Sequence, residues 1–212
     1  MKVKGFWHIW CTAHYFTVVT DQMRILLTSG LYDECEEISI GCIGSEAEKN
    51  FLQRYVVDVY PKLKIKYHSE RAEEYEFPTL RLIEADDTYY VGFYFHTKGV
   101  TRPFEGVIQV WRNYMNEVVL NRWKEHRDRV ESEYEVSSMG YLKSPNHFSG
   151  NFWWFNRAYI NRCPPVDTLV LNNRFHAEQW ICMGNPHFYS IPHIEPGEAI
   201  FPIKYNKPCG QE

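Results

Sequence analysis

Short apolar runs alternate with amphipathic ones along almost the whole chain, and that alternation leaves few folds open. "VKGFWHIW" (3–10), "EISIGCIG" (37–44), "KIKYHS" (64–69) and "YYVGFYF" (89–95) read as strands. "TDQMRILLTSG" reads as a helix with Met23, Leu26 and Leu27 on one face and Gly30 placed to end it. Ser45 and Glu48 make a capping box ahead of "AEKNFLQRYVVDVYP", where Phe51, Leu52, Tyr55, Val56 and Val59 share a face. Pro78 is placed to open a helix over "PTLRLIEAD". Residues 107–131 have helical spacing with Trp111, Met115, Val118, Val119 and Trp123 inward. "EVSSMGYL" and "NFWWF" read as strands, Asn156 caps "RAYINRC", and "RFHAEQWICM" reads as a helix. Strand and helix in turn imply an α/β fold: a mixed, mostly parallel central sheet flanked by helices. The 212 residues suffice for one domain with a sizeable core, taken to span 1–212.

Composition removes several classes of function. A net charge of −4 gives no bulk attraction to nucleic acid or to an anionic membrane. No run approaches the ~18 apolar residues of a membrane span. The start, "MKVKGFWHIWCTAHYF", lacks the apolar stretch and cleavage site of a signal peptide and reads as strand. The six cysteines are scattered, with no C-x-x-C, and no N-x-S/T sequon occurs. Thiols in a reducing compartment, hence a cytoplasmic protein, are expected. Aromatic residues make up 17%, with seven Trp, which implies an aromatic core with some rings free to meet a flat ligand.

Open α/β sheets bind ligands beyond the carboxyl ends of their strands. Three polar clusters fall at such ends: Thr12-Ala13-His14, His96-Thr97-Lys98, and His147 to Asn151. The second is the sharpest, because "YFHTKGVTRPF" breaks an aromatic strand on an imidazole, a hydroxyl and an ammonium before turning on Gly99. The common nucleotide loops are absent. There is no G-x-x-x-x-G-K-[ST] and no G-x-G-x-x-G after the first strand. There is also no G-x-S-x-G elbow, and no spacing suits a structural zinc site.

The motifs that remain resemble one known class. "YFHTKG" followed by "WRNYM", and "HFSGNFWWFNRAYI" followed by "RFHAEQWI", are similar to a group of bacterial and viral GT-A glycosyltransferases, over roughly residues 75–182. The resemblance extends to the amino-terminal glycosyltransferase domains of chlorella-virus enzymes that decorate a capsid protein. The abrupt tail, "NKPCGQE", suits a domain cut from a longer polypeptide. The resemblance implies a Rossmann-like sheet and a nucleotide-diphosphate sugar donor, UDP-sugar first by family habit. It also implies Mn²⁺ and a glycan or glycoprotein acceptor, in the host cytoplasm if the chain is viral.

The residues implied for those tasks can be named. Thr12, Ala13 and His14 follow the first strand, where the family grips base and ribose. His96 and Lys98 alternate, so strand geometry would aim both to one side, where the family carries D-x-D. Lys98 would pair with phosphate, His96 would bond an oxygen or ligate the metal, Gly99 would let backbone approach, and Thr97 belongs with them to the donor site. Arg112 would bring a guanidinium to the diphosphate. Ser149 and Gly150 would hold the donor sugar, and His147, Asn151 and Glu178 would serve the reaction centre. Metal alternatives are Asp86 and Asp87 in "EADDTY", which resembles the fringe-type D-D-D-x-Y at the far end of that strand, and His193. His187 and His193 lie in a Pro-rich segment placed to fold over the site. Retention and inversion stay open; inversion wants a carboxylate base, for which Glu178 is available. Two other functions stay open: a non-catalytic carbohydrate-binding domain and a nucleotide-sugar hydrolase.

Overall fold

The structure is a computed structural model and describes residues 1–192. In chain order its elements are β1 (Val3–Trp10), α1 (Tyr15–Thr28), α2 (Leu31–Glu34), β2 (Cys35–Ile43), α3 (Glu46–Leu52), β3 (Leu63–Ser69), α4 (Phe77–Ala85) and β4 (Val91–His96). There follow α5 (Gly106–Met115), α6 (Trp123–Ser132), β5 (Val136–Met139), β6 (Tyr141–Lys143), β7 (Asn146–Phe148), β8 (Trp153–Asn156), α7 (Arg157–Ile160), α8 (Arg174–Met183) and β9 (Phe188–Ile191). Wider π turns over Gln53–Val57 and Asn116–Asn121 extend α3 and join α5 towards α6.

Among the described residues seven strands form one sheet, in the order β3-β2-β1-β4-β8-β5-β9. All pairings are parallel except those of β8, which runs against β4 and β5. The fold is therefore the expected α/β, Rossmann-like arrangement: a mostly parallel sheet with helices on both faces. A small hairpin of β6 and β7 stands beside it. The chain leaves β1 towards β2 and β3 on one side and returns to β4 on the other. The order of strands thus switches between β1 and β4, which is where such sheets open a crevice.

Alternation along the strands divides the aromatic residues between two cores. Trp7, Ile9, Phe93, Phe95 and Trp154 face α1, α5 and α6. Phe6, Tyr94, Trp153 and Phe155 face α4 and α8. The register sets Phe93 opposite Trp154 and Tyr94 opposite Trp153, and both pairs stack, at 4.9 and 4.7 Å between ring centres. Packing therefore accounts for "FWWF": each Trp fills one core.

Most local signals appear where they were read. The Ser45–Glu48 capping box is present, the Asn156 side chain accepts from the Ala158 N–H, and Gly30 sits at φ 78° after α1. Corrections are local. Leu27, Phe51, Tyr55 and Val59 are exposed rather than inward. Leu52, Val56 and Val57 meet the core; Phe51 stacks on Tyr55 and on Phe16, and Val59 lies past the helix. "EVSSMGYL" divides into β5 and β6 at Gly140, and β7 and β9 were not anticipated. The five described cysteines are buried free thiols.

One buried histidine belongs wholly to this scaffold. His126 on α6 has no exposed surface; its Nε2 donates to the Val118 carbonyl at 3.0 Å, which leaves Nδ1 to accept from the Ser137 hydroxyl at 2.8 Å. Burial lowers its pKa to about 4, against the pull of the Val118 carbonyl. The unfolded chain thus binds a proton near pH 6.5 that the folded one refuses. Stability from this group is complete above that pH and is lost as pH falls towards 4, a span of roughly 3 kcal/mol. Thermal melts should therefore fall steeply from pH 7 to pH 5, and the slope should be shallower in His126→Gln. Equal slopes in the two proteins would show that His126 does not carry it.

Candidate functional site

The crevice between the carboxyl ends of β1 and β4 is a cleft of about 560 Å³, a size suited to a small organic ligand. Its floor is built by register. His8 on β1 and His96 on β4 are cross-strand partners, and their side chains share one face of the sheet. Trp10 and Ile43 continue the floor towards β2. The walls are Ala72, Tyr75 and Glu76 before α4, the 97–102 turn with Val107, Ile108 and Trp111 of α5, and Arg174 and Glu178 of α8.

β4 stops at His96 because its last groups are bonded elsewhere. The Thr97 N–H donates to the His8 carbonyl, and the Thr97 hydroxyl accepts from the Trp10 N–H at 3.0 Å. The His96 carbonyl accepts from the Lys98 N–H and from the Gln22 side chain of α1, each at 2.8 Å. Gln22 is fully buried and in turn accepts from the Trp7 indole. The chain then turns at Gly99, φ 69°, where a Cβ would lie 2.1 Å from Ile108. Lys98 and His96 both line the cleft, although the strand ends between them.

The His96 ring is fixed from both sides. Nε2 donates to the Gly150 carbonyl at 3.0 Å, so in the neutral ring the Nδ1 lone pair faces Oε1 of Glu76, 3.7 Å away. Burial lowers the His96 pKa, with Glu76 opposing and Lys98 adding to the effect. Burial likewise takes His8 to about 4, and its Nδ1 bonds the Thr79 hydroxyl at 3.0 Å. Both imidazoles are neutral at pH 7. Burial works against ionising Glu76, but His96, His8, the Tyr94 hydroxyl and Lys98 outweigh it and hold the carboxyl below its usual range. Its Oε2 accepts from the Tyr94 hydroxyl at 2.6 Å and from the Asn151 amide at 2.5 Å. Asn151, at φ 57°, also accepts from the Trp153 indole.

Several residues singled out in the sequence have other employment. Arg112 is 1% exposed and donates to the carbonyls of Lys98 and Pro103, so it clamps the 98–103 turn from beneath instead of entering the cleft. The Thr12 hydroxyl donates to the Val100 carbonyl, His14 packs edge-on against Phe104, and neither these nor Ala13 line the cleft. His147 sits on the β6–β7 hairpin with Nδ1 to the Pro145 carbonyl, and Ser149 is tied by its N–H to Gly140; both lie outside the cleft lining. Asn151 lies beneath the floor. Asp86 forms an ion pair with Lys4 at 2.6 Å and bonds Thr88, at the amino ends of the strands. Lys4 precedes His8 by four residues on β1, so Asp86 and the exposed Asp87 are at the opposite end of the sheet from His96. His187 precedes β9, which runs parallel to β5, and so occupies that same far end, against Tyr134. His193 lies outside the described residues.

The cleft also contains groups the sequence did not reveal: His8, Trp10, Tyr75, Glu76, Arg102 and Arg174. Tyr75 has φ 46° and ψ −132°, a strained setting that turns the chain into Glu76. Among the described residues no three or more of His, Cys, Asp and Glu are grouped to hold a metal. The nearest fit is the facing pair of His96 Nδ1 and Glu76 Oε1. It can hold a cation only with ligands from a bound substrate or water completing the shell.

No family model matches the sequence, and no curated protein matches it. Among solved structures, the chain is similar to the crystal structure of 4-diphosphocytidyl-2C-methyl-D-erythritol synthase from Anaerococcus prevotii DSM 20548, with a TM-score of 0.50 and 10% identity over 92% of this chain and 90% of that one. At that identity the likeness is one of fold.

The joint between His96 and Gly150 can be tested through the glycine. Gly150 sits at φ 87°, and a Cβ there would meet the Met115 sulfur at 2.0 Å. Gly150→Ala should lose roughly 2–4 kcal/mol in urea unfolding. A loss well under 1 kcal/mol would mean that the loop yields freely and does not fix the His96 ring.

Proposed function

We propose that the chain is a glycosyltransferase that takes a sugar from a nucleotide-diphosphate donor, UDP-sugar first, and moves it to a glycan or glycoprotein acceptor. One observation carries this reading. Lys98 stands at the switch-point end of β4, and among the described residues it forms no ion pair, although Glu76 is close enough to feel its charge. A cation held unspent beside neutral imidazoles suits an anion brought in by a ligand. Sugar transfer expels a nucleoside diphosphate, whose charge needs such a partner. Arg174 on the rim adds to the same field.

Glu178 projects into the cleft from α8, beyond Lys98 from the β1 end. Its carboxylate is the group available to orient an acceptor hydroxyl or to stabilise positive character on the sugar. Asn151 and Gly150 act indirectly, through Glu76 and His96. Mn²⁺ belongs to the proposal: His96 Nδ1 and Glu76 Oε1 would hold it, and it would supply further positive charge to the diphosphate. The motifs favour a glycan on a glycoprotein as acceptor, a viral capsid protein among them, and action in the cytoplasm. No helix among the described residues is long and apolar enough to cross a membrane.

Calorimetry with UDP, GDP and CMP, with and without Mn²⁺, tests the reading. UDP should bind, and more tightly with Mn²⁺; a protein that ignores all three nucleotides but binds free sugars would be a lectin. Lys98→Ala should stay folded and weaken UDP binding by about tenfold or more, and an unchanged affinity would count against the diphosphate seat. Glu178→Gln should bind UDP as the wild type does, keep its Tm, and lose roughly 10²- to 10⁴-fold in transfer from labelled UDP-sugar. Transfer at the wild-type rate would reduce Glu178 to a solvated helix residue. Full donor turnover in wild type without any acceptor would identify a hydrolase.

A further inference from the structure

We infer that Thr79, a residue that never reaches the cleft, fixes the tautomer of His8 and thereby makes that imidazole a hydrogen-bond donor to the ligand; the nucleotide-sugar reading above supplies the ligand on which this is tested. His8 lines the cleft and is 4% exposed. Its Nδ1 lies 3.0 Å from the Thr79 hydroxyl, and its Nε2 has no partner among the described residues. Thr79 has no exposed surface and is not part of the lining. Its hydroxyl bonds nothing else among the described residues. The His8 ring is neutral at pH 7, because burial disfavours its charged form, so one ring nitrogen donates and the other accepts. Were the proton on Nδ1, that N–H would take the hydroxyl oxygen, and the hydroxyl proton would be left unpaired in a dry interior, which is costly. With the hydroxyl donating to Nδ1, nothing buried is orphaned. The proton then sits on Nε2, the nitrogen left for the cleft.

The sequence makes room for this contact. Gly41 on β2 is the cross-strand partner of His8. A Cβ there would lie 2.1 Å from the Thr79 Oγ1 and 3.3 Å from its Cα, so glycine is what lets α4 come down onto the sheet beside His8. The same turn of α4 sets both rings of the floor. Glu76 faces His96 Nδ1 at 3.7 Å, and Thr79 meets His8 Nδ1. The outcomes are opposite. His96 donates its N–H to the Gly150 carbonyl and keeps a lone pair towards Glu76. His8 gives its lone pair to Thr79 and keeps an N–H for the cleft. The two rings are cross-strand partners on one face, so lone pair and N–H stand side by side. The first suits a cation. The second suits an oxygen acceptor: a phosphate oxygen or a hydroxyl of the donor.

The tautomer is read directly by imidazole nitrogen NMR on protein labelled at histidine, with the His8 signals assigned by their loss in His8→Phe. In the free protein Nε2 should be protonated and Nδ1 bare; a proton on Nδ1 overturns the proposal whatever the ligand is. The contact is read by calorimetry with inorganic pyrophosphate, UDP and UDP-sugar, after melting curves have established that each variant is folded. His8→Phe, which keeps a ring and drops the N–H, should weaken UDP-sugar binding roughly tenfold. Thr79→Val should weaken it about threefold, and Thr79→Ser should restore most of that. Adding Thr79→Val to His8→Phe should cost nothing more, since Thr79 acts through the ring. An equal Thr79→Val loss with and without His8 would make Thr79 a packing residue and overturn its role. Undiminished binding of all three probes by His8→Phe overturns the contact. A His8→Phe loss already present with pyrophosphate supports the contact and assigns it to a phosphate oxygen; a loss that begins with UDP or with UDP-sugar supports it and assigns it to a hydroxyl of the nucleoside or of the sugar. If wild type binds none of the three, the nucleotide reading fails and the contact with it, a result told apart by the missing wild-type signal.

Discussion

The end of β4 is the constraint on which the rest of the site depends. A buried strand cannot stop without finding partners for its last N–H and C=O groups. Here the Gln22 amide of α1 serves the His96 carbonyl from behind and the His8 carbonyl of β1 takes the Thr97 N–H from the side, while the Thr97 hydroxyl and the His96 ring are tied to the Trp10 N–H and the Gly150 carbonyl. Each bond has a net worth of only about 1 kcal/mol, but orphaning any of these buried groups costs about 1–3. The turn at Lys98 is thus fixed by what its neighbours would lose. Because the partners come from α1, β1 and the loop before β8, the site cannot form until the sheet has closed around it. The 98–103 turn gets the same treatment from Arg112, which gives its charge to two carbonyls and keeps the loop seated.

Much of the fold could be read from the chain because its signals are periodic. β1, α8 and the capping box on α3 depend on residues close in sequence, and those appear where alternation and spacing put them. The errors have a shared cause. Phe51, Tyr55 and Val59 made the apolar stripe of α3 look five residues wide, but only the side turned to the sheet is buried, and Leu52, Val56 and Val57 occupy it. β9 escaped notice because its four residues between Pro186 and Pro192 give too short a run to show a period. "FWWF" read as unusual because alternation puts neighbours on opposite faces, and two cores each require an aromatic residue at that point.

The site was legible only where its residues break a local rule. His96, Thr97 and Lys98 are anomalous at the end of an aromatic strand, and they do line the cleft. Glu76, His8 and Trp10 break no such rule. Glu76 precedes Phe77 and Pro78 and reads as an ordinary acid at a helix start, where the helix dipole welcomes it. Its importance comes from α4 being laid across β1 and β2, which brings that acid to His96 and Asn151 from 20 and 75 residues away. Arg112 failed in the opposite way. A guanidinium just after the basic turn looks like a phosphate ligand, and nothing local says that its helix buries it.

Glu76 and Asp86 show how the same helix can carry two carboxylates with different consequences. Asp86 ends α4, where the dipole is unfavourable, and it is neutralised by Lys4 at 2.6 Å. Glu76 begins α4, where the dipole is favourable, and its Oε2 accepts from two neutral donors, the Tyr94 hydroxyl and the Asn151 amide. A carboxylate satisfied in that way has no need of Lys98. The lysine keeps its charge within reach of the cleft, and Glu76 still lowers the cost of holding a cation there. Had Glu76 been placed like Asp86, against the nearest ammonium, the pair would have closed on itself and spent the charge of Lys98. The separation of Glu76 from Lys98, set by Tyr94 and Asn151, is what gives the cleft a charge to offer a ligand.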